Sequence, residues 1–366
     1  MLANTTNTMT YFTVGPTQLY PTAKSHARLA ITDDLLSLSH TSDFFIDIYR
    51  RLTLQLKKLF AIPETYQIFF AGSSTESMHT IIASCAEKYT THLIVGGFSE
   101  KFYKAAIDLG KEATAIKLDW RMPIQLSNLS LSSSTELIAI TENETSLGVN
   151  IDLSDLSAVK TERPDVIIAV DIVSSAPYVA LDYSNVDIAF FSSHKGFGLP
   201  AGLGIMIVSE SAIEKARKLR SKGVVIGGHH SILNLAEKAE TFRTPETPNV
   251  LAIYLLQKIT ADLIDKGIDN VRSETRKKAE LIYAYFDNHR RYRPLIRGSQ
   301  RSLTTIVIDV KGNARYVTEQ LEKQGYAVSK GYRPNEDNYI RIANFPAHTL
   351  EDTKGLIAAF DKIEIL

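Results

Sequence analysis

FFSSHKGFGLPAGLGIMIVS, residues 190–209, joins two apolar runs through a turn that holds one lysine, Lys195, and glycines at 196, 198, 202 and 204. Apolar runs this short, bounded by glycines, read as buried strands. The lysine interrupts the margin of a core, where an incidental amine gains nothing. Working outward, the runs belong to segments 186–191 (VDIAFF) and 203–208 (LGIMIV), and five similar segments precede them: 67–71 (QIFFA), 92–95 (HLIV), 114–118 (TAIKL), 136–141 (ELIAIT) and 166–171 (VIIAVD). Seven short strands separated by helix-length spacers predict an α/β fold whose seven-stranded, mostly parallel sheet is covered on both faces.

An amphipathic helix over 43–60 precedes the sheet. After it the pattern changes to long helices over 247–264 and 268–289, a strand over 302–310, a helix over 314–324, a strand over 339–344 and a terminal helix from Leu350. The expected division is an N-terminal arm and substrate-side loop (1–20), a large domain (21–260) and a smaller C-terminal α+β domain (261–366). MLANTTNTMT has neither a basic region nor an apolar stretch, so it reads as a loose polar arm and not a signal peptide. Serine-rich 127–134 reads as a loop. No apolar run is long enough to span a membrane.

The 366 residues are 44% hydrophobic and 22% charged, with 41 basic and 41 acidic side chains. A zero balance argues against a dedicated nucleic-acid binder and favours small-molecule chemistry. One cysteine, Cys85, rules out an internal disulfide or a cysteine-based zinc site and fits a reducing, cytoplasmic setting. It falls on an apolar helix face and reads as a packed core residue.

Several residues can carry chemistry. A strand-end lysine among small residues can have its ammonium form disfavoured, freeing the amine for imine formation, though such a lysine also serves in plain turns. Asp171 closes a buried strand and is either a cap or a paired acid. Asp171 and Lys195 together can bracket a pyridinium ring, the acid holding the ring nitrogen protonated and the amine binding the aldehyde. AGSST, 71–75, leaves the first strand and opens a helix, so Ser73, Ser74 and Thr75 offer either a phosphate cup or an ordinary cap. Phe98 can stack on a ring or fill the core. Thr145, at another strand mouth, can reach a ring hydroxyl.

Other features lead elsewhere. Ser192 and Lys195 match the Ser-x-x-Lys signature of an acyl hydrolase, but that motif opens a helix and needs a later Lys-Thr-Gly, which is absent. HKGFGLPAG looks like a dinucleotide fingerprint but follows the sixth strand, not the first. His229 and His230 have no other ligand cluster near them in sequence, so they read as loop histidines and no metal is expected.

In order along the chain, FTVGPTQLYP, SLSHTSDFF, IPETYQIFFAGSST, VGGFSEKFYKAA, TENETSLGV, AVDIVSSAPY, FFSSHKGFGLPAGLGIMIV, FRTPETPNV and GYRPNEDNYIRIANFPAH resemble the class V, fold type I pyridoxal-phosphate aminotransferases, and within that class the phosphoserine aminotransferases. The resemblance implies pyridoxal 5'-phosphate as cofactor, Lys195 as the lysine that carries it, Asp171 on the pyridine nitrogen and Thr145 on the ring hydroxyl. It implies Ser73, Ser74 and Thr75 at the phosphate, His194 where the family has glutamine, and Phe98 stacked where it has tryptophan. Arg243 and Thr244 would reach a partner's cofactor in a homodimer. Arg341 would grip the substrate α-carboxylate. The family's Ser-His-Arg-Ser stands here as Ser39-His40-Thr41-Ser42, and its His-Arg as Tyr332-Arg333, leaving His40 and Arg333 for a substrate phosphate. The implied activity is transamination of an L-amino acid, phosphoserine with 2-oxoglutarate in serine biosynthesis. The less cationic site also admits alanine or serine with glyoxylate or pyruvate. Cysteine desulfuration is disfavoured because the C-terminal third has no cysteine, and a silent binding protein because Lys195 and Asp171 are intact.

Overall fold

The computed structural model describes residues 9–364. Its first half runs β1 (Thr10–Phe12), α1 (Ala23–Thr32), α2 (Asp43–Phe60), β2 (Gln67–Ala71), α3 (Ser74–Cys85), β3 (Tyr89–Ile94), α4 (Gly97–Asp108), β4 (Glu112–Lys117), β5 (Leu137–Thr141), β6 (Asn143–Glu144) and β7 (Val149–Asn150). Then come α5 (Leu156–Glu162), β8 (Ile167–Asp171), β9 (Ile188–Ser192), β10 (Gly204–Val208), α6 (Glu210–Ser221), α7 (Ile232–Ala239) and α8 (Val250–Lys266). The chain ends with α9 (Ile268–Asn288), β11 (Arg293–Pro294), β12 (Thr305–Asp309), α10 (Ala314–Lys323), β13 (Tyr326–Lys330), β14 (Tyr339–Ala343) and α11 (Leu350–Phe360).

All seven segments expected as strands enter one sheet, ordered β2-β10-β9-β8-β5-β3-β4. Strand β10 is antiparallel to both of its neighbours, and the other pairings are parallel. The loop 193–203 is too short for a crossover helix, so β10 has to return against β9. Side chains alternate between two cores: Ile168, Val170, Ala189 and Phe191 face α2 and α8, whereas Ile167, Ala169, Ile188 and Phe190 face α3, α6 and α7. Burial on both faces is why these strands read as unbroken apolar runs. Helix α2 shows the opposite pattern, burying Phe45, Ile48, Tyr49, Leu52, Leu56 and Leu59 at helical spacing, with Ser42 capping its start.

A second sheet, ordered β1-β13-β14-β12-β11, packs Phe12, Ile306, Ile308 and Ile340 against α9, α10 and α11. Strands β1 and β13 of this sheet depart from expectation. Thr10, placed by sequence in a loose arm, begins a strand that pairs in parallel with Tyr326–Val328. Phe12 anchors it, fully buried and stacked on His348 at 4.3 Å. Residues 1–8 of that arm lie outside the described residues. Strand β13 was not expected either, because it buries only Ala327 and Val328, too few to make a pattern.

Candidate active site

Strands β2, β3, β5, β8 and β9 release the chain at one edge of the large sheet, the side where ligands collect in open α/β folds. There Ser73, Ser74, Thr75, Phe98, Thr145, Asp171, His194 and Lys195 line a single cavity together with Met78, Lys101, Thr141, Asn143, Val173, Ser174 and Ser192. Sequence reading reached the first eight. It missed Ser174 as a cavity residue, although DIVSSAP places it three positions after Asp171.

Lys195 is buried, and its Nζ donates to Ser174 Oγ at 2.8 Å and Thr145 Oγ1 at 3.1 Å. The two hydroxyls also touch each other. Nζ stands 5.2 Å from the centre of the Phe98 ring, on its face. Burial pulls the Lys195 amine well below an ordinary lysine, with help from the charge of Arg341 and against the charges of Asp171 and Glu144. Asp171 responds in the opposite sense. Burial raises its carboxyl, while the Val173 N–H at 2.8 Å and Lys195 restrain the rise. His194 is pushed down to about 4 by burial and then by the Lys195 charge, so its imidazole is neutral at pH 7. Its Nδ1 and the hydroxyl of Thr141 are buried without hydrogen-bond partners.

At the head of α3, Ser73 Oγ accepts the Glu76 N–H at 3.1 Å. The N–H groups of Ser74 and Thr75, which no helix can satisfy internally, are left for an acceptor beside the cavity. Ser74 Oγ is hydrogen-bonded to Ser192 Oγ. A Cβ on Gly204 would lie 2.7 Å from the Ser73 carbonyl carbon, so this glycine is what lets the helix start seat against β10.

Glu144 is fully buried and was not singled out from sequence. It accepts the N–H groups of Phe98 and Ser99 at 3.1 and 3.0 Å, and the Ser99 and Ser146 hydroxyls at 2.9 and 2.6 Å. One carboxylate thus ties the first turn of α4, which carries Phe98, to the hairpin that carries Thr145. Tyr332 covers Phe98 at a ring separation of 5.0 Å, and a Cβ on Gly97 would lie 2.3 Å from the Tyr332 ring.

His40, Arg243, Thr244, Arg333 and Arg341 do not line the cavity. Arg341 is near enough for its charge to act on Lys195, and its Nε donates to the Lys330 carbonyl at 2.8 Å. Burial lowers this guanidinium to about 10. Arg333 is 89% exposed and bonded to Glu336 at 2.8 Å, and Thr41 is exposed. Arg243 is exposed, while Thr244 is buried and donates to the Glu246 carbonyl at 2.7 Å. The Ser-x-x-Lys reading fails on geometry. Ser192 precedes a turn, not a helix, and its hydroxyl bonds Ser74 while Lys195 bonds Thr145 and Ser174. Cys85 is buried and its thiol is pushed far up by burial.

Residues 30–345 match the family described as aminotransferase class-V. The chain belongs to that family and is a pyridoxal-phosphate-dependent aminotransferase with the α/β fold of such enzymes. More particularly, it is similar to the crystal structure of a phosphoserine aminotransferase from Cytophaga hutchinsonii, with a TM-score of 0.95, 37% identity, and coverage of 98% of this chain and 100% of that one. It is 25% identical over 358 residues to the phosphoserine aminotransferase of Rhodococcus opacus, covering 96% of this chain and 94% of the relative. An alanine–glyoxylate aminotransferase from Nostoc sp. shares the fold, with a TM-score of 0.81 at 18% identity over 99% and 96% of the two chains.

The cavity fits pyridoxal phosphate on its own chemistry. It offers unsatisfied N–H groups at a helix start, a buried acid, an amine shifted toward neutrality, and orphaned polar atoms on Thr141 and His194. Among the described residues no helix is long and apolar enough to cross a membrane.

Proposed function

We propose that the protein transfers the amino group of L-phosphoserine to 2-oxoglutarate, a step of serine biosynthesis. The observation that carries this reading is the 37% identity, over nearly the whole of both chains, to the phosphoserine aminotransferase of Cytophaga hutchinsonii. Bound pyridoxal phosphate supplies an electron sink for the pair released at the substrate Cα. Lys195 would hold its aldehyde carbon and, once the substrate amine has displaced it, would carry the Cα proton on Nζ across the 1,3-shift that transamination requires. Thr145 and Ser174 aim that nitrogen through the hydrogen bonds they accept from it. Asp171 would pair with the ring nitrogen, whose proton would compensate its buried charge. Ser73, Ser74 and Thr75 would hold the phosphate at the helix start, with His194 on the same side and Phe98 against the ring. Arg341 receives the substrate α-carboxylate as a bidentate fork, with His40 and Arg333 left for the substrate phosphate.

A second reading has its own support. Thr41 is exposed where the resemblance implies arginine, and Arg333 is engaged by Glu336, so the outer site is weakly cationic. That suits alanine or serine with glyoxylate or pyruvate. A half-reaction screen separates the two: the yellow enzyme is mixed with single amino acids and its conversion to the pyridoxamine form is followed by absorbance. Faster conversion by phosphoserine than by alanine or serine is expected, and the reverse order assigns the small substrate.

The same reading makes the enzyme a cytoplasmic homodimer, with a large unit to residue 260 and a small unit from 261 that carries Arg341. Arg243 is exposed and lines no part of its own chain's cavity, as a group destined for a partner's cofactor requires. Mixing inactive Lys195→Ala chains with inactive Arg243→Ala chains should restore activity, because one site of each mixed dimer is whole. No recovery on mixing removes the contribution in trans.

A further inference from the structure

Outside the cavity, the loop before α7 and the segment 242–247 meet the first turn of α3. His229, His230 and Glu246 each bring a ligand atom there, all within 4.8 Å of one another. His230 Nε2 lies 2.8 Å from Glu246 Oε2, yet both atoms are shielded from solvent and no hydrogen bond of acceptable geometry joins them. Their separation is an ion-pair distance, and two ligands of one tetrahedral ion with bonds of about 2.0–2.1 Å stand about 3.3 Å apart, so the imidazole and the carboxylate need separate by only about half an ångström to admit one. The other ring nitrogen of His230, Nδ1, contacts Glu76 Oε1, and Glu76 Oε2 in turn accepts the Gly72 N–H at 2.7 Å. An imidazole that ligates a metal through one nitrogen has its other on a carboxylate, itself hydrogen-bonded, which fixes the tautomer and the ring orientation. His229 is exposed and supplies an entry path, its ring centre 4.2 Å from that of His230.

We propose that His229, His230 and Glu246 form a binding site for a divalent transition-metal cation, zinc foremost, with Glu76 orienting His230. Two imidazoles and a carboxylate are the donor set of such an ion, and water takes the fourth position. The ion ties segment 242–247 to the helix whose first N–H groups face the cavity. Sequence reading set GGHH aside for want of another ligand, and only folding delivers Glu246.

The test uses full-length protein without an affinity tag, stripped with chelator and titrated with Zn2+ by calorimetry, with bound metal counted after equilibrium dialysis. One saturable Zn2+ per chain is expected. His229→Ala and Glu246→Gln should each weaken it at least tenfold, and Glu76→Gln should weaken it about 10- to 100-fold. Mg2+ should not compete. His26→Ala, which breaks a different imidazole–carboxylate pair with Asp262, should leave the titration unchanged. Absence of saturable uptake overturns the site, as does uptake that survives in the His229→Ala/Glu246→Gln double variant. Because His229 is exposed, its replacement leaves the fold intact, and that variant decides alone if Glu246→Gln does not fold.

Discussion

The Glu144 carboxylate accepts the Phe98 N–H at 3.1 Å, so the residue beside Thr145 also holds the helix turn that presents the Phe98 ring. The two walls of the cavity nearest Lys195 are therefore set against each other by one buried charge.

Removing that charge should be costly. Glu144→Ala strands the N–H groups of Phe98 and Ser99 in the interior, with an expected loss of about 3 kcal/mol or more in unfolding free energy by chemical denaturation. Glu144→Gln keeps one acceptor and should lose about half as much. Both variants should also shift the visible band of bound pyridoxal phosphate, which a purely structural role elsewhere would leave in place.

The Lys195 amine should capture pyridoxal at a pH below that of an ordinary lysine near 10.5, since burial disfavours its charged form. Capture should rise with pH, as only the neutral amine reacts. Asp171→Asn removes a charge that favours the ammonium, so the midpoint should move to lower pH. Arg341→Gln removes a charge that opposes it, so the midpoint should move up. Stopped-flow absorbance across pH reads both signs, and equal midpoints in all three proteins would refute the electrostatic account.

Gly204→Ala puts a methyl group against the Ser73 and Ser74 backbone, which has to retreat. The expected cost is about 1–3 kcal/mol of stability. Affinity for pyridoxal phosphate should fall more than affinity for pyridoxal without its phosphate, because the displaced atoms are the helix-start donors. Parallel equilibrium titrations of the two compounds check this.

Glu142 is buried, its Oε2 has no partner, and burial raises its carboxyl from 4.5 to about 7. Between those values the folded protein keeps a proton that the unfolded chain has released, so this group's contribution to stability is lost as pH rises through about 7. Glu142→Gln removes that loss. Relative to the parent, the variant should gain stability between pH 5 and 8, by at most about 3 kcal/mol. Denaturation curves at the two pH values measure it.

Much of the large sheet was legible because its strands are buried on both faces. Ile167 to Val170 and Ile188 to Phe191 stay apolar whichever way each side chain points. Lys195 and Asp171 stood out for the same reason, as charges at the ends of such runs. Strand β1 was hidden because its single anchor, Phe12, has its partner His348 at the other end of the chain. Glu144 was hidden because a buried acid satisfied by five backbone and hydroxyl donors looks, in sequence, like any acid in a loop.

By itself, then, the sequence determined the α/β architecture, the lysine and acid able to serve a pyridoxal cofactor, and the helix start able to hold its phosphate. The architecture rests on seven apolar runs at helix-length spacing, and the lysine, the acid and the helix start each on one strand and its following turn. Only the tertiary structure decided that the Lys195 amine meets Thr145 and Ser174, that Arg341 weighs on it, and that Glu246 comes to His230. Those relationships depend on burial and on contacts between segments distant in sequence, and both exist only once the chain has folded.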